Sequence, residues 1–245
     1  MHDVPAGRFA VWTTAWLSGR TSYDEALDAL LGDCVHSVAG LPNTEAPVSM
    51  GSALTALRGL GERRFRLVLP VPGDVRGLPR VPGLAPLALE AGQAAVGDRL
   101  ALVPEAVGSE AVAWTAFPLD GVEPAPPPVE GTLRAMSGAL DLAVGGAART
   151  LAGLDVARWN PEVPSLLAGL ARPAAAPALP GDHDPLAVSV LGRAQRLAQV
   201  LDLAMADDPG GAVNHAQAAA RDAALRPLAD AVRDAVTAAY NTVPR

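Results

Sequence analysis

Apolar residues recur every three or four positions through most of the second half of the chain. Leu133, Met136, Leu140, Val144, Ala147, Leu151 and Leu154 form one stripe. Leu186, Val190, Ala194, Leu197, Leu201 and Met205 form a second. A third runs from Val213 through Ala216, Ala220 and Ala224 to Leu228, Val232, Val236 and Ala239, and Pro227 predicts a kink or a division within it. This period belongs to helices that bury one face. A shorter helix is expected around Pro164 to Leu170. Three long helices with alanine-rich faces predict a closely packed bundle.

The first half is patterned differently. Ser22 followed by Glu25 makes a capping box, and the helix it opens should run from Tyr23 to Leu31 and stop at Gly32. Met50, Leu54, Leu57 and Leu60 predict a second helix from about Ser49 to Leu60. The segment Arg64 to Pro72 starts by alternating and becomes wholly apolar, as a strand entering a buried sheet position does, although Pro70 argues against a central strand near its end. Pro86 to Val96 reads as a third helix. Arg99 to Val103 and Ala111 to Phe117 read as strands joined by a turn at Gly108, the second covered on both faces. Arg8 to Leu17 is ambiguous, because Phe9, Val11, Trp12, Thr13 and Thr14 favour a strand while Ala15, Trp16 and Leu17 extend a helix. Between the halves, Val122-Glu-Pro-Ala-Pro-Pro-Pro-Val129 forces extended backbone and reads as a short stiff connector. The expectation is an α+β fold. Residues 1–121 form a small mixed β-sheet with helices, 122–129 connect, and 130–245 form an α-helical bundle.

Composition narrows the chemistry. The 245 residues include 50 alanines, no lysine and no isoleucine, so all 19 basic residues are arginine. The bias follows GC-rich codons. It excludes Schiff-base lysines and the P-loop lysine, and it leaves arginine as the only fixed cation. The net charge is −7, and residues 1–122 and 123–245 carry 9 and 10 arginines against 13 acids each. Neither half has the basic footprint that nucleic acid requires. Cys34 is the sole cysteine, so no internal disulfide is expected. Met1 to Gly19 lacks a basic leader region, and no run reaches 18 apolar residues. A soluble, cytoplasmic protein with no membrane partner is expected.

The candidate chemistry is sparse. The loop Pro70-Val-Pro-Gly-Asp-Val-Arg-Gly-Leu-Pro79 follows the best strand, where α/β ligand sites often lie. Asp74 could hold a proton or a ligand hydroxyl there, and Arg76 could fork onto a carboxylate or phosphate. A rigid surface loop explains the same residues. His36 lies beside Asp33, Cys34 and Ser37, and a Cys–His pair can activate a thiolate. Adjacency in sequence is not that geometry, so a packed histidine and a small buried cysteine are the plainer reading. Asp182-His183-Asp184-Pro185 resembles a fragment of a metal site, but a helix cap at Asp184 with Pro185 in the first turn accounts for it. Asp207 to Gly211, ahead of Asn214 and His215, reads as an interhelical turn. Arg158 and Trp159 read as a structural plug, and Asp24 with Asp28 as a solvated acidic face. Glu62-Arg-Arg-Phe-Arg66 reads as a charged strand entrance.

The segments Trp12 to Arg20, Tyr23 to Leu30, the Leu69 to Pro79 loop and Leu154 to Pro161 resemble a family of uncharacterised actinobacterial proteins. The resemblance spans most of the chain. It implies a full-length cytoplasmic unit, and it carries over no reaction and no catalytic residue.

The leading expectation is a non-catalytic binding or interaction protein, because no nucleophile–base or metal constellation converges. The alanine-rich helix faces suit a homodimer. The alternative is an enzyme acting on a small anionic substrate between the two halves. Asp74 and His36 would be its acid–base pair, and Arg76 or Arg20 would bind the anion. Neither reading calls for a cofactor or a metal.

Overall fold

The computed structural model describes residues 4–153, 179–205 and 215–242. They divide into two compact units. One takes its residues from Val4–Glu130, Ala178–Asp184 and Tyr240–Arg245, the other from Gly131–Pro177 and Pro185–Ala239. The fold is α+β. Among the described residues no helix is long and apolar enough to cross a membrane.

The first unit opens with helix α1, Pro5–Leu17, which resolves the ambiguous segment. Its strand-forming residues are overruled by burial. Phe9, Val11, Trp12, Thr13 and Trp16 are all buried, so nearly every side of the helix meets protein. Pro5 suits the first turn. Val4 at the N-cap offers no side-chain acceptor, and Gln93 supplies one through Oε1, 3.0 Å from the Ala6 amide. Helix α2 spans Tyr23–Leu31 as expected, with the Ser22 hydroxyl accepting from the Glu25 amide at 3.1 Å and Gly32 ending it. The Glu25 carboxylate receives the Thr21 hydroxyl. Helix α3, Met50–Gly59, is capped by Ser49 and buries Met50, Leu54 and Leu57.

The expected helix over Pro86 to Val96 is corrected. Helix α4 covers only Leu84–Ala91 and stops at Gly92 in the left-handed conformation. Ala94–Val96 then form a strand with ladder partners on both sides and no exposed face. A short apolar run has no period of its own, so pattern alone did not separate it from the helix before it.

Six strands make one mixed sheet in the order β2-β1-β6-β5-β4-β3. They are β1 Val35–Ala39, β2 Val48–Ser49, β3 Arg66–Val68, β4 Ala94–Val96, β5 Leu100–Val107 and β6 Ala111–Pro118. Only β1 and β6 pair in parallel. Alternation sends Ala101 and Val103 to the face covered by Leu84 and Ala88 of α4. Leu100, Leu102 and Trp114 go to the other, where Phe9 of α1 meets Trp114 with ring centroids 5.1 Å apart. Both faces are therefore covered near the centre, which is why Leu100 to Pro104 is a continuous buried run.

Strand β3 departs from expectation. Leu67 and Val68 are buried, but the strand lies at the edge of the sheet and spans three residues. Its outer backbone groups do not face open solvent. Asn241 Oδ1 accepts from the Leu67 amide at 2.7 Å, and Asn241 Nδ2 donates to the Leu67 carbonyl at 2.9 Å. One side-chain amide thus stands in for a seventh strand and blocks the edge.

Glu62 is buried at 4% exposure, just before β3. Oε1 accepts from the amides of Arg99 and Leu100, both at 2.8 Å, and Oε2 from that of Asp98 at 2.9 Å. The carboxylate therefore organises the β4–β5 turn. A Cβ on Gly97 would lie 2.7 Å from Glu62 Oε1 and from the Phe65 ring, so the turn admits the carboxylate only because residue 97 has no side chain. Burial pushes the Glu62 carboxyl above its ordinary value, the three amides pull it down, and the Asp98 charge pushes it up; the net direction is up.

The second unit is helical. Helices α5 Leu133–Gly153, α6 Pro185–Met205 and α7 His215–Asn241 follow the three predicted stripes. Leu140 and Ala147 are buried on α5, whose Asp141 forms an ion pair with Arg193 of α6. On α6 the buried face includes Ala187, Leu191 and Ala198 beside Val190, Ala194 and Leu201, while Leu186 is exposed. The stripe is thus turned by about one position from the expected one. Of the kink or division expected at Pro227, the division does not occur, since one helix runs through it. Pro227 is exposed, so its ring and missing donor fall on the solvent side. The short helix expected around 164–170, the Arg158–Trp159 segment and the 207–211 turn lie outside the described residues.

Two stability predictions follow. Asn241→Ala leaves the Leu67 amide and carbonyl unpaired and should cost about 1–3 kcal/mol in urea unfolding. Asn241→Asp should recover only part of that loss, because a carboxylate can accept from the amide but repels the carbonyl. Glu62→Ala orphans three amides and should cost at least about 2 kcal/mol. Its pH dependence has a definite sign. A raised native pKa stabilises the fold fully below the ordinary value of 4.5, and that contribution is lost as pH rises through the native value. The gap between wild type and Glu62→Ala should therefore narrow from pH 4 to pH 8, and a gap that widens would contradict the assignment.

Candidate functional site

The site forms where α1, the entrance to β3 and the last residues of α7 meet. Thr14 faces out of α1 toward the chain ahead of β3. Its Oγ1 accepts from the Phe65 amide at 2.9 Å, and the hydroxyl makes a longer 3.4 Å contact to the Phe65 carbonyl. The Phe65 ring turns inward, edge-on to Phe9 at 5.1 Å. With Phe65 inward, the extended chain sends Arg64 and Arg66 the other way.

Arg20 arrives from the turn after α1. Its Nε donates to Ser18 Oγ at 3.1 Å, and its Nη1 donates to both carboxylate oxygens of Asp182, at 3.1 and 2.8 Å. Tyr240, Asn241 and Thr242 close the other side. The Tyr240 ring packs directly on α1 at Gly7, where a Cβ would lie 2.9 Å from two ring carbons. A helix-interior glycine usually weakens a helix by up to about 1 kcal/mol, and here it is what lets the tyrosine approach.

These groups enclose a pocket of about 60 Å³, open to solvent on one side and lined by Arg20, Arg64, Arg66, Thr14, Tyr240 and Asn241 with Ala10 and Val11 at its apolar floor. Three arginines contribute to the lining of this small volume. Arg64 is exposed and has no ion-pair partner among the described residues. Burial lowers the pKa of Arg66, the neighbouring Arg64 charge lowers it further, and Asp98 opposes both. The lowering by Arg64 is the mark of two like charges held close together.

Of the residues singled out from sequence, Arg20 lies in this pocket. Asp74 and Arg76 pair with each other. Asp74 Oδ1 accepts from Arg76 Nε at 2.9 Å and Oδ2 from Arg76 Nη2 at 2.8 Å, across the turn closed by Val71 and Asp74. His36 lies in β1 at 8% exposure, and its Nδ1 accepts from the Trp114 indole at 3.1 Å. Nδ1 is therefore the unprotonated ring nitrogen. Strands β1 and β3 stand four inter-strand spacings apart, about 19 Å. His36 belongs to the first, and Asp74 to the loop leaving the second, so the fold does not bring this pair together. Cys34 is half-buried, with Sγ 4.0 Å from the Ser109 carbonyl.

Asp182 serves as the partner of Arg20, and Pro185 opens α6. Among the described residues no group of three His, Cys, Asp or Glu side chains could hold a metal ion. Asp24 and Asp28 are both exposed. An arginine–indole contact does occur, between Arg58 and Trp16 at 3.8 Å.

Sequence reasoning missed Arg64 and Arg66, which it read as a charged strand entrance. The alternation Arg64-Phe65-Arg66 was a usable sign that both guanidinium groups share a side. Nothing local could pair them with Tyr240 and Asn241, since Asn241 lies 174 residues from Leu67.

Residues 6–131 match the model of the Rv1486c-like protein N-terminal domain, and residues 134–237 match that of the Rv1486c-like protein C-terminal domain. The chain is 32% identical to the uncharacterized protein Rv1486c of Mycobacterium tuberculosis strain H37Rv, with 98% of this chain and 96% of that protein covered. It is 38% identical to the uncharacterized protein MT1533 of strain CDC 1551, over 41% of this chain and 43% of that protein. No solved structure matches. Both family domains are present in order and the relative is aligned nearly end to end, so the chain belongs to the Rv1486c-like family.

Proposed function

We propose that the protein is a non-catalytic binding module whose first unit captures a small anion. The observation that carries this reading is the convergence of Arg20, Arg64 and Arg66 on one pocket. Arginine is the residue type for bidentate recognition of carboxylate and phosphate. Three of them in a recess partly walled by apolar side chains gain attraction for an anion that they would lack on an open surface. The reading also gives a reason for two like charges to be held at Arg64 and Arg66, an arrangement unfavourable until an anion arrives.

Catalysis is the second reading, and the pocket supports it less. A reaction needs a nucleophile or a base within hydrogen-bond reach of the bound group. The lining side chains supply guanidinium groups, hydroxyls and an amide. Among the described residues, the one carboxylate bonded to a lining arginine is that of Asp182, already engaged by Arg20. The Asp74 and His36 pair would have to act from separate parts of the sheet. The two family models meet between residues 131 and 134, just past the Pro-rich stretch 122–129, which supports reading the two halves as separate domains.

Melting curves in sodium sulfate test the binding reading. Sulfate stabilises folded proteins in general, so the informative quantity is the difference between wild type and Arg64→Ala. The expected result is a saturable rise in the wild-type midpoint at millimolar sulfate, following the logarithm of ligand over dissociation constant. Arg64→Ala should show only the non-saturable salt effect. Identical curves for the two proteins would end the proposal.

A further inference from the structure

We infer that the pocket takes the dianionic phosphate group of a small phosphate monoester. This rests on the anion-binding reading above and narrows it. Three observations favour phosphate over a carboxylate: charge, direction and size.

Among the described residues the pocket is lined by three arginines, and Asp182 on Arg20 offsets one of them, leaving the charges of Arg64 and Arg66. A carboxylate ligand would neutralise one. A phosphate monoester carries about −1.5 to −2 at pH 7 and matches both. Asp98 also acts on Arg66, but it is exposed and is not part of the lining.

Direction separates the two ligand classes further. Arg64 and Arg66 are two residues apart on one side of an extended chain, so their Cα atoms stand roughly 7 Å apart. Arg20 enters from a different element, the turn after α1. Two forks, on Arg64 and Arg66, with one further donor at Arg20 Nη2 suit the oxygens of a tetrahedral group, whereas a planar carboxylate is satisfied by one fork. Size agrees. A water needs about 10–15 Å³ of such space, so 60 Å³ holds about four to six oxygen-sized positions, enough for the four oxygens of a phosphate. The open side leaves room for the ester substituent.

The phosphate belongs to a small molecule and not to a nucleic acid. The chain carries a net charge of −7, and one small basic pocket cannot supply the row of phosphate contacts that a polyanion needs. The apolar floor at Ala10 and Val11 adds shape without a charge opposing the ligand.

Calorimetric titration of the full-length chain at pH 7.5 with phenyl phosphate and with benzoate tests the inference, since the two share a ring and differ in the anion. Phenyl phosphate should bind saturably, and benzoate at least about tenfold more weakly. Lowering the pH to 5 should weaken phenyl phosphate, whose second pKa is about 6, and should leave benzenesulfonate, which has a fixed charge, unchanged. Arg64→Ala should lose at least about tenfold in phenyl phosphate affinity, and Arg64→Lys should lose less. Without ligand, Arg64→Lys should leave the melting temperature unchanged and Arg64→Ala should not lower it, because Arg64 is exposed and has no ion pair among the described residues, and its removal relieves the repulsion with Arg66. If benzoate binds as tightly as phenyl phosphate and Arg64→Ala weakens both, the phosphate assignment falls and the anion pocket stands. If nothing binds, or if Arg64→Ala leaves affinity unchanged, both fall together.

Discussion

Helix α1 pressed against the sheet is the contact on which the rest of the first unit depends. Phe9 lies between Phe65 and Trp114, with both centroids 5.1 Å away. Burying one such ring contributes about 1.5–3 kcal/mol, and each aromatic pair adds about 0.5–1.5 kcal/mol. The same helix presents Thr14 to the Phe65 backbone, Trp16 to the Arg58 guanidinium and Gly7 to the Tyr240 ring. It therefore fixes the entrance of β3, and with it the positions of Arg64 and Arg66. The pocket is a consequence of how one helix is buried.

A second constraint acts on polar groups. The sheet closes its β3 edge with a side-chain amide, and it buries a carboxylate to hold the β4–β5 turn. In both places the polar atoms find hydrogen-bond partners inside the fold. The arginine pocket is the contrasting region. Like charges are gathered there with one carboxylate, among the described residues, to offset them. The Asn241 amide and the Glu62 carboxylate are satisfied internally, whereas Arg64 and Arg66 make no side-chain hydrogen bond or ion pair among the described residues. That difference separates a device of folding from a candidate for binding.

The elements that could be read from sequence were those with a local signal. The capping box at Ser22 and Glu25 placed α2 to the residue, and the Met50, Leu54 and Leu57 spacing placed α3. The long helical stripes placed α5, α6 and α7. Elements decided by pairing were harder. Strand β4 is three small residues whose period is invisible, and β1 carries His36 and Ser37, which give it no strand-like alternation. Arg8 to Leu17 became a helix because it is buried nearly all round, a tertiary fact that outweighs its β-branched residues. The site was legible at Arg20 and illegible at Tyr240 and Asn241.

The sequence by itself determined the fold class, the helical second half and the exclusion of lysine chemistry, because these follow from period and composition. It also determined that any anion site would be built from arginine, the one fixed cation the chain contains. Only the tertiary structure decided which arginines meet. Arg20, Arg64 and Asn241 come from three distant stretches of chain. Their convergence follows from the burial of α1 and the closure of an unpaired strand edge, and neither constraint leaves a mark on neighbouring residues.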